Sequence, residues 1–153
     1  MEPLENLLAE SAFFKGLDPR YLRLVAGCAS HAQFAAGELI FREGDESSRF
    51  YVLRAGKVAL VINVPGRGPV IIQTLHEGDL LSWSWIVAPY KKYFDARAIE
   101  LTRAIAIDGE SVRRKCDEDP PFGYELFKRV AAVTGQRLHA ARLQLLDLYA
   151  GQS

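Results

Sequence analysis

The sequence predicts a mainly β domain of the sandwich, jelly-roll or barrel kind, with helices at both ends. Three observations predict it. Between Gln33 and Asp108, short apolar runs are cut at close intervals by turns that carry glycine. On either side of that stretch, apolar residues recur at helical spacing. The chain has 153 residues, 49% of them hydrophobic, enough for one domain with a real core.

Taken in order, Leu4, Leu7 and Leu8 lie at helical spacing and Phe13-Phe14 follow, which predicts a short amphipathic helix ending near Gly16. Asp18-Pro19 starts a second helix, the aspartate capping and the proline fitting the first turn. Tyr21, Leu22, Val25 and Cys28 carry it to about His31. From Gln33 the pattern is strand-like. Phe34, then Leu39 and Phe41, flank the turn Ala35-Ala36-Gly37, and Glu43 to Glu46 form the next turn. A strand from Phe50 to Arg54 closes on Ala55-Gly56-Lys57. Val58, Leu60, Ile62 and Val64 predict a strand with one strongly apolar face. Pro65-Gly66-Arg67-Gly68-Pro69 is a hairpin loop before the return strand Val70 to Leu75. Ala104 to Ile107 is a last strand, and Asp108 caps a short helix through Cys116. Acids and prolines at 117–121 open a long helix. Along it Tyr124, Phe127, Ala131, Thr134, Leu138, Ala141, Leu145 and Leu148 recur in threes and fours, a heptad stripe. This stripe either packs on the domain itself or forms a two-fold helix pair. Because the helix outruns a small roll, a homodimer through Ala131, Thr134, Leu138, Ala141, Leu145 and Leu148 is expected.

Lys+Arg and Asp+Glu are 19 each, so the basic surplus of a phosphate-reading nucleic-acid binder is missing. Arg113-Arg114-Lys115 reads as a solvated helix face. Cys28 and Cys116 make a poor disulfide framework and read as buried or half-buried free thiols, which fits a reducing, cytoplasmic setting. No signal peptide opens the chain, and the longest apolar run, Val58 to Ile62, is far too short to cross a bilayer. His31, His76 and His139 fall in three distant elements, which argues against a metal site. His76 lies near Asp79 and Ser82, but no nucleophile turn supports a triad, and the chain reads as a non-enzyme.

The stretch that invites function runs from Gly78 to Ala98. The runs Phe34-Ala35-Ala36-Gly37-Glu38-Leu39-Ile40-Phe41-Arg42-Glu43-Gly44-Asp45 and Phe50-Tyr51-Val52-Leu53-Arg54-Ala55-Gly56-Lys57-Val58 resemble the cyclic nucleotide-binding domain superfamily of catabolite-activator-type regulators, kinase regulatory subunits and gated channels. The resemblance implies an eight-stranded β-roll (33–108) with N-terminal helices (1–31) and C-terminal helices (109–150). Catabolite-activator-type regulators continue into a helix-turn-helix unit, whereas this sequence stops at Ala150-Gly151-Gln152-Ser153, so one stand-alone domain without a DNA-binding unit is expected. It implies a phosphate-binding cassette, in which a Gly-Glu-Leu-Ala segment and a later Pro-Arg-Ala-Ala segment hold ribose and cyclic phosphate. Gly78-Asp79-Leu80-Leu81 matches the first half, with aspartate for glutamate. In the second half no Pro-Arg pair exists. The arginine position falls near Tyr93, and the basic candidates are Arg97, Lys91 and Lys92.

The ligand site implied is Gly78, Asp79, Leu80, Leu81, Ser82, Trp83, Tyr93, Arg97 and Ala98, with cAMP or cGMP as the ligand and no other cofactor. Arg97 shares a strand face with Asp95 and serves either the phosphate or a neighbouring acid, Asp95 or Asp79. Three readings stay open. A rearranged cassette binds a cyclic nucleotide; or an aromatic-lined pocket takes another small ligand; or Trp83 and Trp85 fill the pocket and the domain is an interaction module. Output through the C-terminal helices to an unidentified protein partner is expected, with no direct DNA or membrane binding.

Overall fold

A computed structural model describes residues 2–151. Helices α1 (Leu4–Glu10) and α2 (Pro19–Ala26) precede eight strands: β1 (Ala29–Phe34), β2 (Leu39–Phe41), β3 (Arg49–Ala55), β4 (Val58–Val64), β5 (Gly68–Leu75), β6 (Leu80–Leu81), β7 (Asp95–Ala98) and β8 (Thr102–Asp108). Helices α3 (Gly109–Glu118) and α4 (Pro120–Ala150) follow. The strands form two antiparallel four-stranded sheets, β1-β8-β3-β6 and β2-β7-β4-β5, which is the expected roll.

The alternation of strand side chains builds two cores from one sheet. From β3 and β8, Phe50, Val52, Ile105 and Ile107 face the helices, where Leu8, Phe14, Val25, Phe122 and Leu126 complete a cluster. Tyr51, Leu53, Ala104 and Ala106 face inward and meet Phe41, Val58, Leu60, Leu75 and Ala96 of the second sheet. The small alanines of β8 let the two sheets approach. Gly56, at φ +97°, turns β3 into β4 so tightly that a Cβ would sit 2.5 Å from Thr102 Oγ1 and 2.6 Å from the Leu101 carbonyl.

The caps fall where the acids stand. Asp18, Asp108 and Asp119 accept from the amides of Arg20, Glu110 and Phe122. Other expectations change. Helix α1 stops at Glu10, and the following turn ends at Gly16 with φ +83°. Helix α2 stops at Ala26 rather than near His31, because Ala29 to Phe34 pair with β8 throughout, with His31 opposite Ile105. Strand β4 does not alternate in burial. Val58, Ala59 and Leu60 are all buried, whereas Asn63 and Val64 are exposed where the β4–β5 hairpin extends past the roll. Cys116 is buried and Cys28 half-buried, both as free thiols.

Helix α4 rests on the domain through Phe122, Gly123, Leu126 and Val130. The heptad stripe is another face. Leu138, Leu145 and Leu148 are 53%, 53% and 66% exposed, and Ala131 and Ala141 are exposed as well. Among the described residues no helix is long and apolar enough to cross a membrane.

Candidate ligand site

The cassette begins with a turn pinned to β3. The Gly78 amide donates to the Leu53 carbonyl at 2.8 Å, and the Leu53 amide returns to the Asp79 carbonyl at 3.1 Å. Gly78 has φ +88°, open to glycine at no steric cost. The Asp79 carboxylate accepts the His76 amide at 2.8 Å, so it closes its own turn. Leu80 and Leu81 then pair with Val52 and Tyr51, both buried.

Ser82 leaves β6 at φ +76°, a left-handed conformation that costs energy for a residue with a Cβ. Its hydroxyl accepts from Lys92 Nζ at 2.6 Å. Lys92 also donates to the Arg49 carbonyl at 2.7 Å and lies 4.4 Å above the Phe41 ring. Ser47 Oγ is 3.2 Å from Ser82 Oγ and accepts from Ser84 Oγ at 2.9 Å. All four polar side chains are buried. The backbone stitches the same loops together, since the Lys92 amide and carbonyl bond Asp45 and Gly44, and the Ser47 amide bonds the Tyr90 carbonyl. Burial pushes the Lys92 ammonium down to about 7, against the opposing pull of Asp45. Lys92 therefore stands one residue from Tyr93, where the family arginine position falls, but its charge is turned inward onto the Ser82 hydroxyl and the Arg49 carbonyl.

The other basic candidates are also occupied. Arg97, in β7, donates to the Gly37 carbonyl at 2.7 Å on the exposed surface. It pairs with neither Asp95 nor Asp79, so the expected partnership with a neighbouring acid is not formed. Asp95 instead accepts the Glu43 amide and the Asn63 amide group. Lys91 sits 3.9 Å from Glu46 at the surface. Ala98 is buried in β7, its amide donating to the Glu38 carbonyl. The two tryptophans do different things. Trp83 stacks on Tyr93 with centroids 5.3 Å apart. Trp85 stacks on Phe50 at 4.1 Å in the core under the helices, outside the roll. Arg113 is not a solvated side chain, for it donates to the Trp85 carbonyl and covers the Tyr90 ring at 3.9 Å. Among the described residues no histidine, cysteine and carboxylate cluster is fit for a metal.

Helix α4 closes the site through Arg137, whose Nη2 donates to the Leu80 carbonyl. Burial lowers its pKa, and the Asp79 charge opposes that. Arg137 separates two cavities. A groove of about 580 Å³ lies between the β4–β5 face, the aromatics Trp83 and Phe94, and α4 at Leu138, Ala141 and Gln144. A second cavity, of about 390 Å³, holds Gly78, Asp79 and Leu80 with Phe13 and Arg129. The structure thus brings Gly78, Asp79 and Leu80 to one side of Arg137 and Trp83 to the other. Neither cavity is lined by Arg97. Sequence spacing came within one residue of Lys92 but did not mark its burial. Nothing in the sequence pointed to Arg137, which lies 57 positions from its partner.

A β-roll with a glycine-acid turn, a loop of this length and a closing helix defines a class of ligand-responsive regulatory domains. The cyclic nucleotide-binding domain model matches residues 31–119, and the chain belongs to that family. The chain is similar to the CRP-like cAMP-activated global transcriptional regulator of Mycobacterium tuberculosis, with 23% identity over 145 residues, or 95% of this chain. It spans 63% of that regulator's length. Human cGMP-dependent protein kinase 2 is 32% identical over 79 residues, covering 51% of this chain and 10% of the kinase. Among solved structures, a Geobacter metallireducens chain assigned to the cyclic nucleotide-binding proteins superposes with a TM-score of 0.80 at 27% identity, over 91% of this chain and all of the other. The Thermus thermophilus catabolite activator protein gives 0.70 at 25% identity, over 90% of this chain and 62% of that one.

Proposed function

We propose that the chain is a non-catalytic regulatory module that senses a small ligand in the groove under α4 and passes the event through α4 to a partner. The observation that carries this reading is the Arg137 link. One side chain ties the helix to the cassette backbone at Leu80, at the wall of a groove that the sheet, the cassette and the helix line together. A ligand entering there touches all three, so its binding energy can favour one position of α4 over another. The exposed heptad stripe supports a homodimer as the assembly that reads this position.

Thermal unfolding with saturating cAMP, cGMP and, as controls, cyclic dinucleotides is the first test. A ligand at about a hundred times its dissociation constant stabilises by roughly 2.7 kcal/mol. That raises the midpoint of a domain of this size by several degrees. The reading expects such a shift together with slower hydrogen exchange across 130–141. A ligand that shifts the midpoint yet leaves exchange in α4 unaltered removes the helix as the output.

A second reading is supported by a separate observation. The Lys92–Ser82–Ser47–Ser84 network and the Trp83–Tyr93 stack fill the cassette with the protein's own groups. On this reading the fold is a degenerate binding domain that serves as an interaction or dimerisation module. No midpoint shift with any small molecule, combined with dimerisation through α4, favours it.

A further inference from the structure

The groove under α4 has a chemistry of its own. Its walls are aliphatic and aromatic, drawn from β4, β5, Trp83 and Phe94. Val70, Ile71 and Ile72 stand exposed along β5 and border the groove, at a register shift that leaves Ile72 with no residue opposite on β4. Among the described residues, Arg137 is the single ionisable group on those walls. Its Nη2 is used by the Leu80 carbonyl, but its Nη1 is buried and has no hydrogen-bond partner in the protein. It makes no ion pair among the described residues, for Asp79 acts on it only at longer range from the other cavity. A buried guanidinium N–H left unpaired costs free energy that an incoming anion recovers.

The groups that would seat a cyclic phosphodiester lie elsewhere. Lys92 is buried with its ammonium on Ser82 and the Arg49 carbonyl, Arg97 is held at the surface on the Gly37 carbonyl, and Asp79 lines the other cavity. A cyclic nucleotide would bring a ribose hydroxyl, an anionic diester and a polar base into a groove whose polar wall groups are Gln73, Gln144 and one arginine. Polar groups buried without partners are the expensive outcome. An apolar body with a single carboxylate meets these walls without that cost.

We infer that the groove binds an apolar monocarboxylate, its ring or chain packed between β5, Trp83 and Leu138 and its carboxylate on Arg137. This rests on the reading of the chain as a ligand-sensing module and names the ligand class for the same groove. The link from Arg137 to Leu80 makes the carboxylate a direct reporter to both the helix and the cassette.

The test is titration calorimetry of the whole chain with 1-naphthaleneacetate and its neutral isostere 1-naphthaleneacetamide, with cAMP as competitor. The carboxylate is expected to bind at least about tenfold more tightly than the amide, and Arg137→Gln to remove that difference while leaving amide binding within about twofold. Ile72→Trp fills the groove from the sheet side and leaves every residue of α4 unaltered, and is expected to abolish binding of both compounds. Equal affinity for acid and amide, or an acid preference that survives Arg137→Gln, overturns the proposal. So does undiminished binding to Ile72→Trp. If cAMP binds and naphthaleneacetate does not, the ligand class is wrong and the sensing reading stands. If neither binds, both fall. If Ile72→Trp lowers the mass seen by light scattering in a chain that binds no carboxylate, the groove belongs to a second copy and the proposal is overturned.

Discussion

At the scale of single residues, Lys92 governs how the cassette behaves. It is a buried amine whose proton is held by two acceptors, one of them the strained Ser82. Its pKa falls from 10.5 in the unfolded chain to about 7 in the folded one. Between those values the unfolded state binds more protons, so stability rises with pH across roughly 7 to 10.5, and the burdened charged form prevails below 7. The slope attributable to one such group approaches about 1.4 kcal/mol per pH unit. Urea unfolding at pH 6.5, 7.5 and 8.5 should show that rise, and Lys92→Met should flatten it. An equally steep rise in the variant would assign the dependence to another group. The sequence made the neighbourhood of Lys92 legible, because spacing from the last strand pointed to Tyr93 beside it. It could not make burial legible, because a lysine is ordinarily solvated and only its contacts with Ser82, the Arg49 carbonyl and the Phe41 ring say otherwise. Trp85 teaches the converse. Aromatic identity marked it, but its place against Phe50 outside the roll depended on the course of a loop that propensity does not fix.

At the scale of elements, the ends of α3 and α4 were legible because capping is local: an aspartate and the amides two or three residues on decide it. The end of α2 was not, since Cys28 and Ala29 keep helical spacing while the backbone of Ala29 to Phe34 is claimed by β8. Strand β7 shows the same dependence on partners, as its four residues find β2 and β4 on either side. Helix α4 separates two periodicities that the sequence superimposes. Phe122, Leu126 and Val130 are buried against the domain, Leu138 borders the groove beside it, and Leu145 and Leu148 are exposed. A stripe of leucines half or more exposed along a helix is stabilised by pairing with a like stripe. Light scattering of the intact chain is therefore expected to give the mass of a dimer. Leu138→Glu with Leu145→Glu should give a monomer whose thermal midpoint stays close to that of a single wild-type domain, since neither side chain enters the core. A wild-type monomer would refute the pairing.

At the scale of the whole molecule, α4 packs on the domain through its first three turns, and beyond them Arg137 hydrogen-bonds the cassette backbone. Arg129 anchors the helix further back, on the carbonyls of Phe13 and Lys15. These two arginines do different work. Arg129 holds α4 to the N-terminal turn, whereas Arg137 holds it to Leu80, the residue that follows the family's acidic position. If α4 and the cassette behave as one coupled unit, cutting the Arg137 link must loosen both sides together, although Arg137→Ala alters only the helix. Hydrogen exchange by mass spectrometry should then show faster exchange at 78–83 and at 134–141 in Arg137→Ala. Exchange in β3 and β8 should be unaltered, because those strands are held by the two cores. Arg129→Ala is the control. It should raise exchange near 11–16 and in α4 but leave 78–83 as in the wild type. Faster exchange in α4 alone in Arg137→Ala would mean that the cassette is held by Lys92 and β3 without the helix. The groove would then have no mechanical route to the output.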